Sequence, residues 1–158
     1  MHTQHKPRIL FILKKRPPGN YGTWSYSLGE SLPSGLTVSV TQMVKGLTTL
    51  GFENKMVQVV DNNDIDREVH QYKPTHVIIE AFWVVPEKFE VLKRLHPTVT
   101  WVIRNHSKTD FLSHEGGMIG WAIDYLNQGL ILACNSPEAT SDFQKLAAIS
   151  GADPENVV

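Results

Sequence analysis

The chain has little cysteine, almost no net charge and no long apolar run. Its 158 residues include one cysteine, Cys134, which excludes a disulfide within the chain and a metal site built from several thiolates. The formal net charge is −1, so a strongly basic nucleic-acid-binding surface is not expected, although a local basic patch stays open. No apolar run approaches the ~18 residues of a membrane span, and no signal-peptide pattern opens the chain. The expected location is the cytoplasm.

The amino-acid composition is that of a globular protein. Apolar residues make up 41% of the sequence and charged residues 20%, which is typical of a folded soluble domain rather than a disordered one. A chain of this length can bury one substantial core. We therefore predict a single domain over residues 1–158.

Short apolar runs alternate with helical patterns along the whole chain. The apolar runs are rich in Ile and Val, as in strands buried on both faces of a parallel sheet, and cover 8–13, 55–61, 76–85, 99–104 and 130–134. The helical patterns cover 36–50, 64–72, 86–97, 118–127 and 136–151. This alternation predicts an α/β fold: a three-layer Rossmann-like domain with a parallel sheet and helices on both faces. Right-handed crossovers would bring all carboxyl ends of the strands to one edge, where ligands bind.

Two titratable residues stand at predicted strand ends on that edge. His106 follows the fourth strand, where its ring could take a proton near neutral pH, where its backbone could bind a ligand, or where it could simply be hydrogen-bonded at the surface. Glu80 ends the apolar run of the third strand proper and could reach a ligand or bond a neighbouring N–H. His106, His114 and Glu115 do not share a helical face and form no HExxH pattern, so we expect no metal site.

The connection after the first strand is long for a strand-to-helix loop, which favours a functional role. Its Tyr21 and Trp24 could stack on a sugar or a base, or could fold back onto the domain. It ends in Ser34 and Gly35, at the predicted start of the first helix. A helix start offers free N–H groups to a phosphate, although a plain helix entry explains the pair equally well, and the GxGxxG and GxxxxGK[ST] motifs are missing.

Several stretches together resemble a known family. They are "RILFIL" with the long loop after it, "SGLTVSVTQMVKGLTTLGFENKMVQVVD", "VIRNHSK", "LILACNSPEATSDFQK" and "GADPENVV". They resemble the N-terminal, acceptor-side domain of GT-B fold glycosyltransferases, of the retaining type that uses a nucleotide-sugar. There is a weaker likeness to phage DNA glucosyltransferases. The resemblance spans nearly the whole chain, but each of its motifs is short.

The resemblance implies roles for particular residues. Ser34, Gly35 and Thr37 would lie near the donor diphosphate, and His106 would face the reacting sugar by its side chain or its backbone carbonyl. Tyr21, Trp24 and Glu80 would help to hold the acceptor. The substrates would be a nucleotide-sugar and an acceptor hydroxyl, with neither a metal nor another cofactor expected. A nucleic-acid acceptor has no support from the net charge.

The sequence also departs from that family. Its members have two such domains, with the nucleotide-sugar mostly on the second, and their usual Gly-Gly is Ser34-Gly35 here. We therefore expect activity to need a second domain or a partner chain, and self-association is also open. The alternatives are a non-catalytic α/β module that binds a sugar or nucleotide, and a flavodoxin- or receiver-like domain. The receiver is disfavoured because Lys14, Lys15 and Arg16 stand where it would carry acidic residues.

Overall fold

The computed structural model describes residues 6–15 and 35–158. Within them, five strands form one sheet in the order β2-β1-β3-β4-β5, and every neighbouring pair is parallel. The strands are β1 Arg8–Lys14, β2 Glu53–Val59, β3 His76–Glu80, β4 Thr100–Arg104 and β5 Ile131–Ala133. All their carboxyl ends therefore lie at the same edge of the sheet, as the sequence predicts.

The helices connect successive strands, and most of them begin and end close to the predicted positions. They are α1 Gly35–Thr49, α2 Asp64–Tyr72, α3 Lys88–Leu95, α4 Thr109–His114, α5 Met118–Asn127 and α6 Pro137–Ser150, followed by a short 3-10 helix, Pro154–Asn156. The Ser136 hydroxyl accepts a hydrogen bond from the Ala139 N–H at 3.2 Å, which caps the start of α6. Gly151 ends this helix with φ 80°, a left-handed conformation that glycine adopts at little cost.

The core lies on both faces of the sheet, because successive side chains of a strand point to opposite sides. On one face, Phe11 and Leu13 of β1 pack against Val40 of α1. On the other, Leu10 and Ile12 join a larger cluster that includes buried side chains from α2, α3, α5 and α6. The predicted three-layer α/β architecture is confirmed.

Two local features differ from the sequence prediction. The third strand ends at Glu80 rather than at residue 85, because Ala81 has φ 69° and turns the chain out of the sheet. The apolar residues beyond it are still buried in part: Val84 is inaccessible, and Phe82 packs edge-on against Tyr125. The short helix α4 was not predicted, because its six residues give no usable periodicity.

The strand order fixes where a ligand cleft can form. The chain goes from β1 to β2 on one side of β1 and then crosses to β3 on the other, so the connections diverge between β1 and β3. This order, 2-1-3-4-5, is the one found in flavodoxin-like sheets, and ligands bind at such a point beyond the carboxyl ends of the strands. The start of α1 and the ends of β3 and β4 lie around this position.

Candidate functional site

A buried carboxylate and a histidine meet at the carboxyl edge of the sheet. Glu80 is the last residue of β3, and His106 follows β4 by two residues. The imidazole Nε2 of His106 lies 2.5 Å from Oε2 of Glu80. The Glu80 side chain is 0% exposed, whereas that of His106 is 24% exposed. The pair therefore has its carboxylate in the protein interior and its imidazole partly exposed to solvent.

Arg104 completes the charge balance around Glu80. The two residues are register partners across β3 and β4, and Nη1 of Arg104 lies 3.3 Å and 3.5 Å from the two carboxylate oxygens. Its Nη2 donates to the hydroxyl of Ser39 in α1 at 3.3 Å. A buried carboxylate is costly unless charged partners and hydrogen bonds compensate it, and here a guanidinium and an imidazole do so. The cluster also ties α1 to the ends of two strands.

The geometry of this pair suits proton transfer. When Nε2 carries the ring proton, it donates to Glu80, and the lone pair of Nδ1 is then available. No described residue bonds Nδ1 of His106. A carboxylate on one ring nitrogen holds the ring in place and stabilises the cation that forms when the other nitrogen accepts a proton. An imidazole in this arrangement can accept a proton from a hydroxyl group that reaches Nδ1.

A second histidine–carboxylate pair lies away from this cluster, between α2 and the residue that follows α3. Nε2 of His96, which follows α3 and precedes β4, lies 2.6 Å from Oδ1 of Asp66 in the first turn of α2. The Asp66 side chain is 49% exposed, so water solvates this carboxylate, unlike that of Glu80. The two pairs share their short contact and differ in the burial of the carboxylate.

The structure brings together some of the residues singled out in the sequence. Glu80 and His106 are in contact, and Gly35 and Thr37 lie in the first turn of α1. Ser39, one turn after Gly35, contacts Arg104, so the start of α1 borders the cluster. Among residues 6–15 and 35–158, no atom would lie within 4 Å of a Cβ added at Gly35. The remaining candidates, Tyr21, Trp24 and Ser34, lie outside the described residues.

Two of the residues considered for a metal site, His114 and Glu115, lie at the end of α4. His114 is the last residue of α4, and Glu115 is the residue after it. Within 6–15 and 35–158, no group of three or more His, Cys, Asp and Glu side chains is arranged to hold a metal ion. No helix in the same residues is long and apolar enough to cross a membrane.

Three residues of the site were not singled out by sequence reasoning. Arg104 and Ser39 acquire their importance from contacts between distant segments, for which one sequence gives no signal. Asn105 is a buried polar residue, 2% exposed, between the strand and His106. Its signal is the Asn-x-Ser spacing, since an asparagine side chain bonds the backbone two residues on in a tight turn.

The single cysteine lies beside the cluster and is half-buried. Burial raises the pKa of the Cys134 thiol, and hydrogen bonds with the side chains of Thr140 and Asn105 oppose that rise in part. A thiol with a raised pKa is mostly protonated near neutral pH and is a poor nucleophile. Cys134 is therefore a packing residue and not a candidate for covalent catalysis.

No protein-family model, curated protein or solved structure matches this chain. The geometry of the residues at the carboxyl edge is therefore what any functional assignment has to rest on.

Proposed function

We propose that this chain is the acceptor-side domain of a glycosyltransferase, which helps to transfer a sugar from a nucleotide-sugar to an acceptor hydroxyl. The observation that carries the proposal is the contact between His106 and the buried Glu80, which leaves Nδ1 of the ring without a described partner. The resemblance in sequence supports the same reading.

In this proposal His106 acts as the general base. The acceptor hydroxyl gives its proton to Nδ1 as its oxygen forms a bond with the anomeric carbon of the donor sugar. The bond from that carbon to the diphosphate oxygen breaks, and the electron pair leaves with the diphosphate. Glu80 stabilises the imidazolium that results. The sequence leaves retention or inversion open, and in this proposal a base of this kind suits direct displacement with inversion.

The donor diphosphate would lie at the start of α1. This helix of 15 residues begins near the crevice between β1 and β3, and the positive end of its dipole favours an anion there. Ser39 links this helix to Arg104. Positive groups near the departing diphosphate stabilise its developing charge without a metal. A second domain or a partner chain would supply the rest of the donor site.

The acceptor would approach from the side of β4 and β5. A small cleft lies there between the starts of α4 and α6, on the same edge as His106, and its lining includes Lys108, Asp110, Ser136 and Asp142. Carboxylate, ammonium and hydroxyl groups can all hydrogen-bond the hydroxyls of a sugar or another polyol.

A second candidate is a non-catalytic module that binds a sugar or nucleotide. The observation that favours it is that Arg104 bonds both oxygens of Glu80 while His106 bonds one of them. Such a closed cluster would hold the ends of β3 and β4 together without any chemistry. The two candidates differ in whether the nucleoside diphosphate is released.

The test uses a panel of donors. Thermal unfolding is measured with UDP, GDP, ADP and their sugars, since a ligand that binds the folded state raises its stability by about 2.7 kcal/mol at a hundred times its dissociation constant. Release of nucleoside diphosphate is then followed with mono- and oligosaccharide acceptors. Binding of one donor with acceptor-dependent release supports the transferase. The panel is run with the complete protein and any partner chain that it requires. With that protein, binding without release supports the non-catalytic module, and no binding by any donor would contradict both candidates.

A further inference from the structure

The turn that carries His106 is stabilised by hydrogen bonds from its neighbour Asn105. The Asn105 side chain accepts from the Ser107 N–H at 2.9 Å, and its amide nitrogen donates to the Ser107 carbonyl at 2.8 Å. Both hydrogen bonds that the Asn105 side chain makes to the main chain therefore go to Ser107. His106 lies between these two residues in the chain. Asn105 itself is 2% exposed and its own N–H donates to Ala133 of β5 at 2.7 Å, which fixes the base of this turn.

The same segment is held from outside by Asn135. This residue follows β5 by two positions, and its side-chain amide donates to the carbonyl of His106 at 3.0 Å. Asn135 is exposed, so this hydrogen bond lies at the protein surface. The main chain on either side of the His106 ring is thus tied both to itself and to the neighbouring strand end.

We propose that Asn105 and Asn135 are positioning residues for His106, which fix the direction in which its ring enters the cleft. This inference rests on the proposed role of His106 as a base. A main chain fixed at residues 105–107 leaves the ring few conformations. It keeps Nε2 at Glu80 and so keeps Nδ1 toward the acceptor. General-base catalysis depends on such placement, because a shift of about 1 Å can cost about a hundredfold in rate.

The arrangement differs from ordinary core packing. A buried asparagine that served only the fold could bond any backbone group in reach, yet both main-chain bonds of the Asn105 amide go to Ser107. Asn135 is exposed, so its truncation removes little core packing. Its described hydrogen bond to His106 is therefore the main feature that Asn135→Ala changes.

The experiment compares Asn135→Ala, Asn105→Ser and Asn105→Ala with the parent protein. The ring signals of His106, identified by their loss in His106→Gln, are followed by NMR over a pH titration. Diphosphate release is measured in parallel with the donor that the panel identifies. Serine at position 105 can still accept from the N–H two residues on, so its effect should be the smaller of the two at that position. Asn54→Ala is the matched control, because Asn54 also donates to a carbonyl two residues away, that of Phe52 at 3.1 Å, at the opposite edge.

We expect the His106 ring signals to move in Asn135→Ala and Asn105→Ala and to stay in place in Asn54→Ala. We also expect kcat to fall by about 10- to 100-fold with little change in KM for the donor. Unchanged ring signals and unchanged kcat in Asn135→Ala would overturn the positioning role, and this variant tests it even if Asn105→Ala does not fold. If the ring signals move while His106→Gln keeps full activity, the positioning is real and the proposed base is what fails.

Discussion

Glu80 and Arg104 face each other as register partners across β3 and β4, and the guanidinium Nη1 lies 3.3 Å from a carboxylate that solvent does not reach. The same residue types face each other between β1 and β2, where Arg8 and Glu53 are register partners with Nη2 3.2 Å from Oε1. That second pair lies at the amino edge with side chains 39% and 60% exposed. The two pairs share their geometry across the strands and differ in burial.

This contrast predicts very different costs for removing the carboxylate. Glu80→Ala should lower the free energy of unfolding by about 3–5 kcal/mol, because it leaves a partly buried guanidinium without its partner. Glu53→Ala should cost no more than about 1 kcal/mol, as for exposed pairs. Urea unfolding measures both. The double variant Glu80→Ala/Arg104→Ala should lose less than the sum of its two single variants. Equal costs for Glu80→Ala and Glu53→Ala would contradict the assignment of Glu80 as a buried ion partner.

The turn after Glu80 gives a second prediction. Ala81 has φ 69°, in the left-handed region that costs an alanine about 1–2 kcal/mol. Ala81→Gly removes that strain but adds unfolded-state entropy, so the protein should be unchanged or more stable by up to about 1 kcal/mol. The control is Ala148→Gly in the exposed part of α6, which should destabilise by about 1 kcal/mol. Equal destabilisation of both variants in thermal unfolding would show that Ala81 is not strained.

The open start of α1 predicts an effect on binding rather than on folding. No described residue lies within 4 Å of a Cβ added at Gly35, so we expect Gly35→Leu to leave the melting temperature nearly unchanged. If the donor diphosphate lies against this helix start, the leucine side chain would occupy part of that volume and weaken binding by about tenfold or more. Gly46→Leu is the control, since Gly46 lies in the same helix with equally open space. Titration calorimetry with the donor measures both, and equal affinity in the two variants would reject this placement of the diphosphate.

Cys134 gives a prediction with a pH dependence. Burial raises the pKa of its thiol above the ordinary 9.0, so the folded protein holds less thiolate than the unfolded chain at alkaline pH. This group therefore favours the folded state fully below that ordinary value, and the contribution is lost as the pH rises above it. Alkylation by iodoacetamide at pH 8.5 should be much slower for the folded protein than in urea. Equal rates would mean that the thiol is not protected.

Much of the fold could be predicted from the sequence, because the relevant signals are local. The apolar runs predicted the positions of the strands. The capping residues Ser136 and Gly151 predicted the two ends of α6. The apolar run itself extends past the end of β3 at Glu80, because it continues through Val84, which is buried outside the sheet, and one sequence gives no signal for the left-handed Ala81.

The candidate site was predictable only in part. Glu80 and His106 could each be assigned to the carboxyl edge from the order of strands and helices. Their contact depends on β3 and β4 being neighbours, and the roles of Arg104 and Ser39 depend on the packing of α1, 65 residues away along the chain from Arg104. Such pairings are set by the tertiary structure and leave no periodic pattern in the sequence.

The most direct test of the proposed base compares two histidines. His106→Ala and His96→Ala each remove an imidazole that contacts a carboxylate, at 2.5 Å and 2.6 Å respectively, and only the carboxylate beside His106 is buried. Donor- and acceptor-dependent release of nucleoside diphosphate is measured for both, with the complete protein and any partner chain it requires. If His106 is the general base, His106→Ala should lower kcat by about 10²- to 10⁴-fold, and His96→Ala should leave kcat unchanged. Full activity in His106→Ala, or equal losses of activity in the two variants, would contradict the role of His106 as the base.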